Sequence, residues 1–195
     1  MDAFFQGKLD NFCALYAVLN AMQRTHGINH WAARKLFHTG LIEFARDETI
    51  WKDVVTNSTD YISEIETFIE IINREGINVE YIRPFSSGKA SIEEVHTAIK
   101  DWSRIPPDNI DGISGQAVVL QFKRYLPFRG SPLISHWTAV SECVGNEIRF
   151  IDSSLEKMAT YTLPSNGFCT HEDDVKGGRL FLIDPSTIYL LKASD

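Results

Sequence analysis

Apolar residues run almost without a break through Ala14-Leu15-Tyr16-Ala17-Val18-Leu19 and resume after Asn20 with Ala21 and Met22. A helix that is apolar nearly all round is buried rather than laid on a surface. The stretch therefore predicts a buried central helix with Cys13 at its head, Asp10 or Asn11 as N-cap, and His26-Gly27 as its stop. Trp31, Leu36, Phe37, Leu41 and Phe44 then recur at roughly helical spacing, interrupted by Gly40, which predicts one or two helices to about Ala45. The stretch around Trp51 has no clear period. Ile62, Ile65, Phe68, Ile69 and Ile72 form a single stripe over Tyr61–Arg74, with Glu64, Glu66 and Glu70 mostly outside it and Gly76 as terminator. Asn78 to Ile82 alternates like a strand that Pro84 closes. Ser91 and Glu94 form a capping box ahead of a helix with Ile92, Val95, Ile99 and Trp102 on its apolar face, and Pro106-Pro107 ends it.

The second half of the chain reads as strands: Ala117–Phe122, Trp137–Cys143, Glu147–Ile151, Arg179–Ile183 and Thr187–Leu191. Turn-rich pieces such as Pro127-Phe128-Arg129-Gly130 and Lys176-Gly177-Gly178 separate them. Helices first and antiparallel strands second is an α+β pattern. The expected organisation is one domain over 1–195, with a helical lobe over about 1–114 and a β-rich lobe over about 115–195.

Composition narrows the function classes. With 44% hydrophobic and 23% charged residues, the chain is ordinary for a globular protein with a core. A net charge of −7 and the lack of any basic run argue against a nucleic-acid partner. No apolar stretch is long enough for a membrane span. The N-terminal segment lacks the pattern of a Sec signal peptide. Three cysteines do not make a disulfide framework, which fits a reducing compartment.

Three features point to nucleophilic chemistry. Cys13, in the first turn of a helix, feels the positive end of the helix dipole, which favours thiolate. His136 opens a strand of small and apolar residues, and Asp152 closes the next one. A thiol attacks a carbonyl poorly until an imidazole takes its proton, and a carboxylate then orients and stabilises the imidazolium. Taken singly, each residue has an ordinary structural role: a core thiol, a core histidine, a turn cap. As an ordered Cys, His, Asp set they predict a site. The set carries a register requirement. A two-residue turn at Gly145-Asn146 alone would place Asp152 on the opposite sheet face from His136. Their pairing therefore needs a longer loop over about Glu142 to Asn146, or a bulge.

The N-terminal Gln and Cys helix, the late His-apolar strand in Ser135-His136-Trp137-Thr138-Ala139-Val140 and the acid in Arg149-Phe150-Ile151-Asp152 resemble the papain-like cysteine peptidase superfamily. The nearest resemblance is to double-glycine leader peptidases and their stand-alone relatives. It implies a papain-like α+β fold, a cleft between the lobes, and acyl transfer through a thioester. It implies Cys13 as nucleophile and His136 as base. Asp152 orients the base, where papain itself has asparagine. Gln6 and the Cys13 backbone N–H bind the oxyanion, and Trp137 is a candidate aromatic shield. The expected substrate is an amide bond of a protein or peptide, which makes the chain a protease or a glutamine deamidase. A transglutaminase differs only in the acceptor. No cofactor or metal is expected. A cytoplasmic protein, or a bacterial effector secreted into a host cell without a Sec signal, fits this description. The rival is a non-catalytic adaptor or binding module that keeps the fold; Ala14, where the family has glycine, and the one-residue-longer Gln6–Cys13 spacing favour it.

The remaining residues read as structural. Cys169-Thr170-His171 with Glu172, Asp173 and Asp174 lacks metal-ligand spacing and reads as an acidic loop. Cys143 reads as packing and His26, His30, His38 and His96 as surface or edge residues. Trp31, Trp51 and Trp102 read as core, and Gly177-Gly178 lacks the setting of a phosphate loop.

Overall fold

The computed structural model describes residues 12–56, 59–104, 113–126, 131–151, 160–175 and 179–194. Its first element, α1 (Cys13–His26), is the buried helix that the apolar run predicts: twelve of its fourteen residues are buried. The N-cap is Phe12 rather than Asp10 or Asn11, which lie outside the described residues. Phe12 holds that place by packing edge-on against Phe37, with ring centroids 5.7 Å apart. Gly27 closes the helix in the left-handed conformation, its N–H donating to Gln23 O.

One helix, α2 (His30–Phe44), follows, and Gly40 does not break it. A Cβ at Gly40 would lie 2.7 Å from Phe68 Cε2, so the glycine serves close packing against α4 (Ile62–Arg74). The buried stripe of α2 is Ala33, Leu36, Gly40 and Phe44. Trp31 falls off that stripe and is 75% exposed, contrary to the core role expected of it. The aperiodic stretch around Trp51 forms α3 (Glu48–Thr56). On α4 the predicted stripe is present, but Glu64 is buried as well, with its carboxylate accepting from Thr59 Oγ1 at 2.9 Å and Ser63 Oγ at 3.0 Å. Hydrogen bonds of this kind are what permit a carboxylate inside. After β1 (Val79–Ile82) comes α5 (Ile92–Trp102), with the Ser91/Glu94 capping box fully formed. The Pro106-Pro107 stop lies outside the described residues.

The remaining elements are β2 (Gln116–Arg124), β3 (Ile134–Val144), β4 (Glu147–Ile151), β5 (Thr160–Pro164), β6 (Phe168–Cys169), the single turn α6 (Glu172–Val175), β7 (Phe181–Ile183) and β8 (Tyr189–Ala193). The main sheet runs β1-β8-β2-β3-β4-β5, with β7 on the far part of β2 and β6 parallel to β7; every other pair is antiparallel. The class is α+β. Sequence pattern missed β5 and β6, and it started β3 three residues late. Ile134 and Ser135 are exposed despite lying in the strand, so no alternation marks its beginning.

Each face of the sheet carries its own core. Ala117, Val119, Trp137, Ala139, Ile151, Tyr189 and Leu191 pack with α1, which α2 and α4 cover from outside. Val118, Leu120, Phe122, Val140, Phe150, Ile188 and Leu190 pack with Val95 and Ile99 of α5. Each fully buried aliphatic or aromatic side chain contributes roughly 1.5–3 kcal/mol relative to exposure. Arg24, buried at the end of α1, joins the helical layers by donating to Ser103 O at 2.9 Å. Burial pushes its guanidinium pKa down, and the field of Glu142 partly offsets this.

Candidate functional site

Of the four residues singled out from sequence, the structure describes Cys13 and His136; Gln6 and Asp152 lie outside the described residues. Cys13 is the first residue of α1 and is 9% exposed. Two contacts of its C-terminal turn, and a third between the strand ends beside it, fix the direction of the helix. Arg24 O accepts from Ser114 N at 3.0 Å, just before β2. His26 Nε2 meets Asn78 O at 2.9 Å, just before β1. Ala193, at the end of β8, donates to Gly115 O at 2.8 Å. The C-terminus of α1 is thus anchored where β2 begins, and its N-terminus is directed to the end of the sheet where β3 begins. Cys13 and His136 belong to that same end.

They stand on different sides of it. Side chains alternate along a strand. Trp137 and Ala139 of β3 pack against α1, whereas His136 lies opposite Phe122 in the β2–β3 register, and the two rings meet edge-on at 5.8 Å. Phe122 in turn contacts Phe150 and Phe181. His136 is 7% exposed and so is substantially buried. An approach of its imidazole to Cys13 runs around the end of the sheet, not across the α1 face.

The β3–β4 hairpin combines a tight turn with a bulge. Val144 pairs with Glu147 across Gly145-Asn146, and Gly145 has φ +59°, as the first central position of a tight hairpin turn favours. Between Val140 and Glu142 the register shifts by one, with Ser141 as the extra residue. Val140 therefore pairs with Phe150 and Ala139 with Ile151, where an unbulged hairpin would pair Val140 with Ile151. The register requirement attached to the Cys-His-Asp order is a shift of this parity. Thr138, on the His136 face, donates from Oγ1 to Ile151 O at 3.2 Å, so the end of β4 is fastened to this part of β3.

No family model matches the chain, and no curated protein does.

Trp137, the candidate shield, is buried at 1% exposure with its ring 6.2 Å from that of Tyr189. Its indole Nε1 has no hydrogen-bond partner among the described residues. A cavity of about 300 Å³ lies between α1 and α2, lined by Tyr16, Leu19, Phe37, His30, Arg34 and His38 among others. Tyr16 lies one turn from Cys13 along α1. No periodicity marked the cavity, because His30, Arg34 and His38 are on the exposed side of α2 and come together only by four-residue spacing.

The other polar candidates fall elsewhere. Cys169 is fully buried, with its Sγ 3.6 Å from Phe181 O, and burial pushes its thiol pKa up. His171 precedes the exposed turn of α6. Among the described residues no group of three or more His, Cys, Asp and Glu side chains is placed to hold a metal ion. Gly177-Gly178 lies outside the described residues. Among the described residues no helix is long and apolar enough to cross a membrane. Cys143, read as packing, is half-buried and has an imidazole partner: its Sγ is 3.5 Å from His96 Nε2 on α5.

Proposed function

We infer that the chain is a papain-like cysteine hydrolase acting on an amide bond of a protein or peptide. One observation carries this reading: a helix headed by Cys13 is directed to the end of an antiparallel sheet at which the strand carrying His136 begins. In this mechanism the Cys13 thiolate attacks the carbonyl carbon, and the oxyanion is held by the Cys13 backbone N–H and by Gln6. The first N–H groups of a helix have no intrahelical acceptor and serve that role. His136 takes the thiol proton and returns it to the leaving amine. Asp152 orients the ring, and water hydrolyses the thioester. A main-chain amide makes the enzyme a protease and a glutamine side chain makes it a deamidase. A bacterial effector acting inside a host cell is the biological setting that suits either.

A second reading has its own support. His136 packed against Phe122, on the side away from α1, suits a non-catalytic adaptor that keeps the fold. The rate of iodoacetamide alkylation of Cys13 against pH, read by peptide mass spectrometry in wild type and His136→Ala, separates the two. The hydrolase requires fast labelling well below pH 7 that the substitution abolishes. Labelling that rises only near pH ~8.5 in both proteins means an ordinary thiol and leaves the adaptor.

A further inference from the structure

The half-buried Cys143 and His96 lie on the α5 side of the sheet, away from Cys13. Cys143 Sγ and His96 Nε2 are 3.5 Å apart, within hydrogen-bond range for sulfur. They come from β3 and α5, 47 positions apart in the chain. His96 also lines a cavity of about 230 Å³ together with Glu93, Asn146, Asn166, Phe168 and Arg179. His96 therefore links the two: it contacts the Cys143 sulfur and lines a small cavity bearing both a carboxylate and a guanidinium.

We propose that this is a thiol–disulfide exchange site, with Cys143 as nucleophile and His96 as base, taking a small disulfide that carries amino-acid carboxylate and ammonium groups. The cavity supplies the matching chemistry. Arg179 offers a planar donor fork for a carboxylate, Glu93 an acceptor for an ammonium, and Asn146 and Asn166 hydrogen bonds for amide groups. With its proton on Nδ1, His96 accepts the thiol proton at Nε2. The Cys143 sulfur then attacks one sulfur of the disulfide. The S–S bond of the incoming molecule breaks, a new S–S bond to Cys143 forms, and the departing thiolate takes the proton back from the imidazolium. Cys143 is oxidised and the departing half is reduced to a thiol.

Burial pushes the Cys143 thiol up and the Lys100 ammonium pulls it down by less. A thiol held up in this way reacts through a base beside its sulfur, and His96 has that position.

The site is separate from Cys13, and its test reads each cysteine alone, because Cys13, Cys143 and Cys169 fall in three different tryptic peptides. The protein is incubated with oxidised glutathione, and the glutathionyl adduct on each peptide is followed over time. Cys143 is expected to react about tenfold or more faster than Cys169, and His96→Gln to remove that advantage. Arg179→Gln is expected to slow the reaction with oxidised glutathione severalfold and to leave the reaction with neutral hydroxyethyl disulfide unchanged. Equal rates at Cys143 and Cys169, an unchanged rate in His96→Gln, or an Arg179→Gln effect that is the same for both disulfides overturns the proposal. The two-disulfide comparison in Arg179→Gln keeps the answer readable even if His96→Gln does not fold. The hydrolase reading stands or falls separately, on the Cys13 peptide.

Discussion

The two faces of the sheet treat their cysteines differently. On the α1 side, α1 covers the strands and α2 and α4 cover α1, and Cys13 is held at a helix terminus among aromatic and aliphatic neighbours. On the other face α5 is the helix that crosses the sheet among the described residues, and Cys143 is half-buried with an imidazole within reach that itself lines a cavity. One strand, β3, serves both. It gives Trp137 and Ala139 to α1, and His136, Thr138 and Val140 to the other face. By the one-residue shift at Ser141 it also gives Cys143 to α5. Continued alternation from Ala139 would have turned Cys143 toward α1. A bulge thus decides which helix the second thiol meets.

If the α1 side around Trp137 is sealed and the edge of the α5 side around Cys143 is half-open, stability should respond unequally to losses at the two places. Trp137→Ala should give the largest effect, about 3–5 kcal/mol in urea unfolding, because a fully buried indole leaves a cavity that the surrounding helices cannot fill. Cys143→Ala, at a half-buried position, should cost less than about 1.5 kcal/mol in the same measurement. Similar losses from both would break the comparison. Trp137→Phe sharpens it further. It should cost far less than the alanine substitution, since it removes a buried indole N–H that has no partner among the described residues.

An intermediate effect is expected at Gly40. In Gly40→Ala the new Cβ meets Phe68 Cε2 at 2.7 Å and Cδ2 at 2.9 Å, and the Phe68 ring is itself fully buried. Overpacking of this kind costs about 1–3 kcal/mol, although alanine is the better helix former. Pairing it with Phe68→Leu should recover part of the loss. Strict additivity of the two substitutions in unfolding experiments would show that the helices separate freely, contrary to a sealed α1 side.

What was legible in the sequence follows from how local each signal is. The α4 stripe, the capping box of α5, the buried character of α1 and the α+β class are written in residues within a turn or two of each other. Trp31 misled because a large apolar residue near a stripe is not on it: Ala33 and Gly40, small and inconspicuous, mark the buried face of α2. Glu64 misled because its partners, Thr59 and Ser63, carry no apolar signal. The strand β6 is two residues long and pairs in parallel with β7, which no alternation reveals. At the candidate site, the Gly145-Asn146 turn and the need for a parity shift were readable, but not its place at Ser141. Cys143 and His96 were each visible and each dull. Their meeting depends on that bulge and on where α5 crosses the sheet, neither of which a linear pattern encodes.

The smallest effect expected is on the α5 side and concerns the start of the helix that carries His96. Ser91 Oγ accepts from Glu94 N at 3.2 Å, and the Glu94 carboxylate accepts from Ser91 N at 2.8 Å. Ser91→Ala should cost about 1 kcal/mol or less, as loss of an N-cap generally does. The Ser91 backbone bond, followed by the Ser91 side-chain bond, holds the Glu94 carboxyl below its ordinary value of 4.5. The sign of the pH dependence follows. A carboxylate with a depressed folded-state pKa contributes stability that is complete above the unfolded value and is lost as pH falls through the folded one. The difference in melting temperature between wild type and Glu94→Gln should therefore be present at neutral pH and shrink as the solution is taken down through the carboxylate range. A difference that persists unchanged at acid pH would mean that the neutral amide fails for reasons of packing, and the turn at the head of α5 would have to be more tightly held than its exposure allows.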